Sequence, residues 1–154
     1  MQKKIFSFLL LLFLSSCGYE AIHSKKNIKN YNFSISKLNF IGEREVNLKI
    51  KQKLNNYTLT KNDKKFILKI SSTSEKIILA KDTSGDATSF RNKIILQVEV
   101  VMNDKFKNNF TFTEYFDYNN NSNKFELKRY EKEIKNNLAE TATDKLIFKI
   151  SNIQ

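Results

Sequence analysis

The sequence predicts an α+β two-layer sandwich: a four-stranded mixed sheet with two helices on one face, in the order β-α-β-β-β-α. Three observations carry this. Apolar residues recur at three and four over 43–56 and again over 124–151. They alternate with polar residues in four other stretches. No Pro interrupts either pattern in the 154 residues, a length that suits one domain.

Phe33, Ile35 and then Leu38-Asn39-Phe40 mark the first strand, with the alternation imperfect near its end. Gly42 is placed to cap a helix in which Val46, Ile50, Leu54 and Tyr57 form the apolar stripe, and Glu43 and Glu45 suit its positive N-terminus. Phe66, Leu68 and Ile70 alternate in a second strand over 65–81, where Ser71-Ser72-Thr73-Ser74 is a candidate bulge or break. Asp82-Thr83-Ser84-Gly85-Asp86 is turn-forming and makes the flanking strands a hairpin. In the third strand Asn92, Ile94, Leu96, Val98, Val100 and Met102 share a face, and in the fourth Phe106, Phe110, Phe112, Phe116 and Tyr118 do. Leu127, Tyr130, Ile134, Leu138, Ala142, Leu146 and Ile150 give the closing helix over 124–151. The first β-α-β passage permits a parallel pair, hence a mixed sheet.

Ahead of this domain, Lys3 and Lys4 precede the apolar run Ile5 to Leu14. Ten residues are too few to cross a bilayer as a helix, which takes roughly 20, but suit a secretory signal. Leu14-Ser15-Ser16-Cys17 resembles a bacterial lipobox, and Cys17 is the only Cys of the chain. The expectation is a cleaved signal over 1–16, an acylated Cys17 with a polar tether over 17–32, and a domain over 33–154. Acylation would attach the protein to a membrane and leave no thiol for disulfides or redox work. Gly18, where many inner-membrane lipoproteins carry Asp, favours the outer membrane.

The formal charge is +11, or 11 − 2 = +9 once Lys3 and Lys4 are removed. Of the 27 cations 24 are Lys and only Arg44, Arg91 and Arg129 are Arg. Asn, Ile and Phe are also abundant, so part of the basic excess reflects AT-rich coding. Export argues against a nucleic-acid partner. Catalytic constellations are nearly absent. The sole His, His23, lies in the tether, Asp82 and Asp86 read as turn formers rather than a carboxylate pair, and no phosphate loop or metal-ligand spacing is present. The expectation is no enzyme, no cofactor and no metal. Lys81, Arg91 and Lys93 fall by odd-numbered parity on the less apolar sheet face. A guanidinium is a planar fork matched to phosphate, which makes Arg91 the most informative cation. An ordinary solvated face fits these residues equally well.

The hairpin stretches Ala80-Lys81-Asp82-Thr83 and Phe90-Arg91-Asn92 resemble the LptE family of lipopolysaccharide-assembly lipoproteins. Cys17-Gly18-Tyr19 after the lipobox and Tyr115-Phe116-Asp117-Tyr118-Asn119 before the last helix agree with it. The resemblance implies a lipid-anchored protein on the periplasmic side of the outer membrane. It further implies a plug inside an LptD-like β-barrel that assists lipopolysaccharide assembly and contacts lipopolysaccharide directly. Arg91 matches the hairpin Arg of the family, and Lys128 or Arg129 are the nearest candidates for a basic residue early in the last helix. Together with Lys81 and Lys93 these form the expected lipopolysaccharide-binding set. The competing readings are a structural adaptor lipoprotein of another envelope complex with no lipid ligand, and a small hydrolase.

Overall fold

The computed structural model describes residues 31–153 apart from 103 and 104, with the backbone alone at 105–107. Strands β1 (Ser34–Gly42), β2 (Lys65–Lys81), β3 (Ala87–Met102) and β4 (Lys105–Asn119) are joined by helix α1 (Arg44–Leu59) after β1. Helix α2 (Lys124–Ser151) closes the chain. The sheet order is β1-β2-β3-β4, with β1 parallel to β2 and the other neighbours antiparallel. This is the α+β mixed sheet and element order that the sequence predicts.

Local physics accounts for each boundary. The imperfect alternation of β1 is a bulge: Ile35 pairs with Phe66 and Lys37 with Ile67, leaving Ser36 extra. Inward side chains therefore switch from Phe33 and Ile35 to Leu38 and Phe40. The cap of α1 is Glu43 rather than Gly42, its carboxylate accepting from the Glu45 amide. Gly42 serves a different need. It sits at φ +98°, and a Cβ there would lie 1.9 Å from the Ser72 carbonyl oxygen. The Ser71–Ser74 run does not break β2. Its irregularity falls instead at Leu79, where Ile78 pairs with Phe90 but Ala80 with Ser89. Asn123 caps α2, accepting from the amides of Phe125 and Glu126.

Even-numbered residues of β2 and β3 form the covered face, where Phe66, Leu68, Ile70, Ile94, Leu96 and Val98 are buried beneath Ile50 and Leu54 of α1 and Leu146 and Ile150 of α2. Each such side chain contributes about 1.5–3 kcal/mol through burial. Phe112 and Tyr118 of β4 belong to this core, while Phe116 stays 45% exposed at its margin. The side chain of Phe106 lies outside the described residues. The two helices run in the same direction, as three ion pairs climbing together show: Glu45–Lys135, Lys49–Glu140 and Lys53–Asp144.

Candidate functional site

Beyond Ser72, β2 outruns β1, and the β2–β3 hairpin continues with no helix over its tip. The alternation of β3 explains the motif Phe90-Arg91-Asn92. Phe90 points to the covered face and packs on Tyr118, ring centroids 5.7 Å apart. Asn92, 5% exposed, donates to the Glu131 carbonyl of α2 at 3.4 Å. Arg91, between them, is left for the open face. The turn uses Asp82 structurally: its Oδ1 accepts from the amides of Ser84 and Asp86, both at 2.9 Å. Gly85 holds φ +90° in that turn.

A polar cluster fastens α2 to this end of the sheet. The Tyr118 hydroxyl donates to Glu131 at 2.9 Å and Lys76 pairs with the same carboxylate at 2.6 Å. The Lys76 ammonium also lies 3.8 Å from the centroid of the Phe90 ring. Burial, then the neighbouring Glu131 carboxylate, pushes the Tyr118 phenol well above its ordinary value.

On the open face Arg91 is not a lone cation. Its Nε and Nη2 donate to Asp117 at 2.6 and 2.7 Å, a bidentate pair across β3 and β4. The guanidinium carbon sits 4.2 Å from the centroid of the Tyr115 ring. The hydrogen bond to Asp117 raises the Arg91 pKa, and the reciprocal bond holds the Asp117 carboxyl below its usual range. Lys93 faces its register partner Glu75 at 3.7 Å, and Lys69 faces Glu99 at 2.8 Å in the same way. Among the described residues the open face thus carries three cross-strand pairs, their charges compensated along the strands.

The expected binding residues divide accordingly. Arg91 and Lys93 share the open face as parity predicts. Lys81 does not follow them, because the shift at Leu79 and a second shift before Lys81 break the odd-number alternation and pair Lys81 with Ala87. Arg129 is exposed and bonded to Glu126 at 2.6 Å. It lines a groove of about 790 Å³ that also contains Phe116 and Asp117, so Arg129 shares that feature with the carboxylate partner of Arg91 and not with Arg91 itself. Lys128 lies at helical spacing from Lys132 and Lys135, and the three together hold the Glu45 carboxyl below its ordinary value, the Lys135 hydrogen bond leading. Cys17 and His23 lie outside the described residues. Sequence reasoning missed Asp117, Tyr115 and Glu75 as partners of the cations, although Tyr115 and Asp117 stand in a stretch already marked by resemblance.

The arrangement suits binding. A side-on carboxylate occupies the Nε edge of the Arg91 fork, and no bond engages Nη1 among the described residues, so the outer edge can take a second planar anion. No group of His, Cys, Asp or Glu suited to a metal occurs among the described residues.

The comparisons with known proteins now bear on this geometry. The lipopolysaccharide-assembly LptE family model matches residues 33–150, nearly every described residue of the domain. The chain belongs to the LptE family. Solved lipoprotein structures share the fold. Rare lipoprotein B of Shewanella oneidensis is 13% identical, with a TM-score of 0.54 over 73% of this chain and 95% of that one. A minor lipoprotein of Acinetobacter baumannii is 12% identical, with a TM-score of 0.57 over 77% and 92%. A lipoprotein B of Nitrosomonas europaea is 10% identical, with a TM-score of 0.53 over 83% and 90%. No curated protein matches the chain by sequence. As an LptE-family lipoprotein the chain serves lipopolysaccharide assembly in envelope biogenesis.

Proposed function

We propose that this LptE-family chain is anchored through an acylated Cys17 on the periplasmic side of the outer membrane. There it binds an LptD-like β-barrel as a plug and touches lipopolysaccharide directly, acting by binding and not by catalysis. The family match over 33–150 is the observation that carries this reading. The open-face end of the hairpin supports the contact with the glycolipid. Arg91 is held by Asp117 and Tyr115, Lys93 lies two residues along the same strand, and Arg129 lines a groove with Asp117, as further cations for phosphate or carboxylate groups. Lys81 and Lys128 lie off this surface and serve at most as peripheral attraction.

Recovery of the anchored protein from solubilised membranes tests the partner. A large β-barrel should come with it; recovery of other envelope proteins alone would favour the adaptor reading. For the ligand, Arg91→Gln is the cleaner variant, since a Glu there would stand beside Asp117. It should weaken lipopolysaccharide binding about tenfold, the loss of one charge-assisted contact. Asp117→Asn, which removes the competing negative charge and the bidentate pair, should bind at least as tightly as the unaltered chain. Equal affinity for Arg91→Gln with an unchanged far-UV spectrum removes Arg91 from the site.

A further inference from the structure

Among the described residues nine cations of the domain are paired with acids. On the open face Lys69, Arg91 and Lys93 have cross-strand partners, and along the helix seam Lys49, Lys53 and Lys135 have theirs. The connection from α1 to β2 gathers three of the others within five residues. Lys61 and Lys65 have no acid partner among the described residues, and Lys64 donates to the Ile153 carbonyl at 3.3 Å. Asp63 is the single acid between Leu59 and Lys65. Leu59, directly before these lysines, is 76% exposed, the most exposed large apolar side chain described.

The position of this segment gives it meaning. The chain enters the domain at the same end. The Ser34 amide donates to the Lys64 carbonyl at 2.8 Å, its hydroxyl to the Asn62 carbonyl at 3.2 Å, and Asn62 bonds Asn32. Tyr31 packs beside Phe33, which stacks on Tyr57 of α1 at 4.7 Å. Helix α2 ends here too, with exposed Phe148 and Lys149. Residues 17–30 precede this point, a length that reaches at most about 50 Å when extended. A surface holding Cys17 by its acyl chains is therefore within reach of Leu59 and the three lysines, and the hairpin lies at the other end of the sheet.

We infer that the α1–β2 connection is a membrane-resting surface: Leu59 enters the headgroup layer of the leaflet that holds the anchor, and Lys61, Lys64 and Lys65 face the phosphates of anionic lipids. The inference rests on acylation of Cys17 for its geometry and on charge complementarity for its ligand. An amphipathic segment of this kind gains from both apolar burial and attraction to an anionic surface. It would also orient the domain with the hairpin pointing away from the leaflet.

The chain has no Trp, so one introduced Trp reports without background. The full chain carrying Leu59→Trp, with its Cys17 acylation checked by mass, is added to vesicles of phosphatidylcholine with or without phosphatidylglycerol. Emission should shift to the blue with phosphatidylglycerol, remain unshifted with phosphatidylcholine alone, and revert in high salt. Phe125→Trp, at the far end of the domain and 74% exposed in the unaltered side chain, should report water in every case. Lys61→Gln with Lys65→Gln should reduce sedimentation of the Cys17→Ser chain with anionic vesicles, roughly fivefold for each charge removed. No shift at position 59, or an equal shift on neutral vesicles, overturns the inference. Inorganic phosphate alone producing the shift overturns it as well. If the mass shows no acyl group, the anchor reading fails separately, and the same vesicle comparison on that chain still decides the surface.

Discussion

Over Lys65–Ser72 strand β2 lies between β1 and β3 and alternates buried with less buried side chains, whereas over Thr73–Lys81 it keeps β3 on one side, β1 has ended, and no residue is buried. The two halves do not differ in apolar supply. Phe66, Leu68 and Ile70 are within 1% of full burial, while Ile77, Ile78 and Leu79 are 38%, 50% and 43% exposed. What differs is the layer above. Helix α1 begins beside Ser72, its Glu43 amide donating to the Ser72 carbonyl, and from there it leads away from the hairpin. The covered half stabilises the fold, and the uncovered half is available for partners.

The largest expected effect separates these halves directly. Leu68→Ala should cost about 3 kcal/mol in urea unfolding, within the usual range for a fully buried Leu. Ile78→Ala should cost less than about 1 kcal/mol, because most of the lost surface already meets water. Comparable losses would mean that the hairpin is covered after all. Next come the two glycines. Gly85→Ala introduces only backbone strain, about 1 kcal/mol, since nothing lies within 4 Å of the new Cβ. Gly42→Ala meets the same strain and the Ser72 carbonyl besides, and should cost about 2 kcal/mol or more. Equal thermal shifts for the two would show that the β1–α1 corner yields.

The smallest effect concerns pH. The Arg91 hydrogen bond lowers the Asp117 carboxyl below its ordinary 3.8 in the folded chain. A group depressed by folding contributes stability above its unfolded pKa, and the contribution is lost as pH falls through the lower folded value. The thermal midpoint of the unaltered chain should therefore exceed that of Arg91→Gln near neutrality. The gap should close as pH falls through and below 3.8. A gap that persists in acid assigns the pair no role in stability.

Element order, parity and helix stripes were legible because periodicity is a direct imprint of one-sided burial, as Ile94-Leu96-Val98 and Val46-Ile50-Leu54 show. Of the bulges only that of β1 left a mark, its imperfect alternation; those of β2, β3 and β4 did not, since an extra residue need not disturb the composition. The register shift between Val100 and Val101 is decisive for the site. Without it, continuing the pairing of Met102 with Lys105 would set Arg91 opposite Phe116, and only the shift brings Asp117 across from it. The shift at Leu79 similarly removes Lys81 from the face that simple alternation assigns. A candidate cation could be chosen from the sequence; its counter-ion depended on register.

The sheet keeps its strands in the order in which the chain supplies them. Strands β2, β3 and β4 are joined by hairpins and can pair soon after they are released from the export machinery, for local antiparallel pairing closes short loops. Strand β1 cannot. Its parallel match with β2 waits for the whole crossover through α1 to form. The first strand to be delivered, and the one nearest the proposed anchor, is thus expected to be the last to join the sheet.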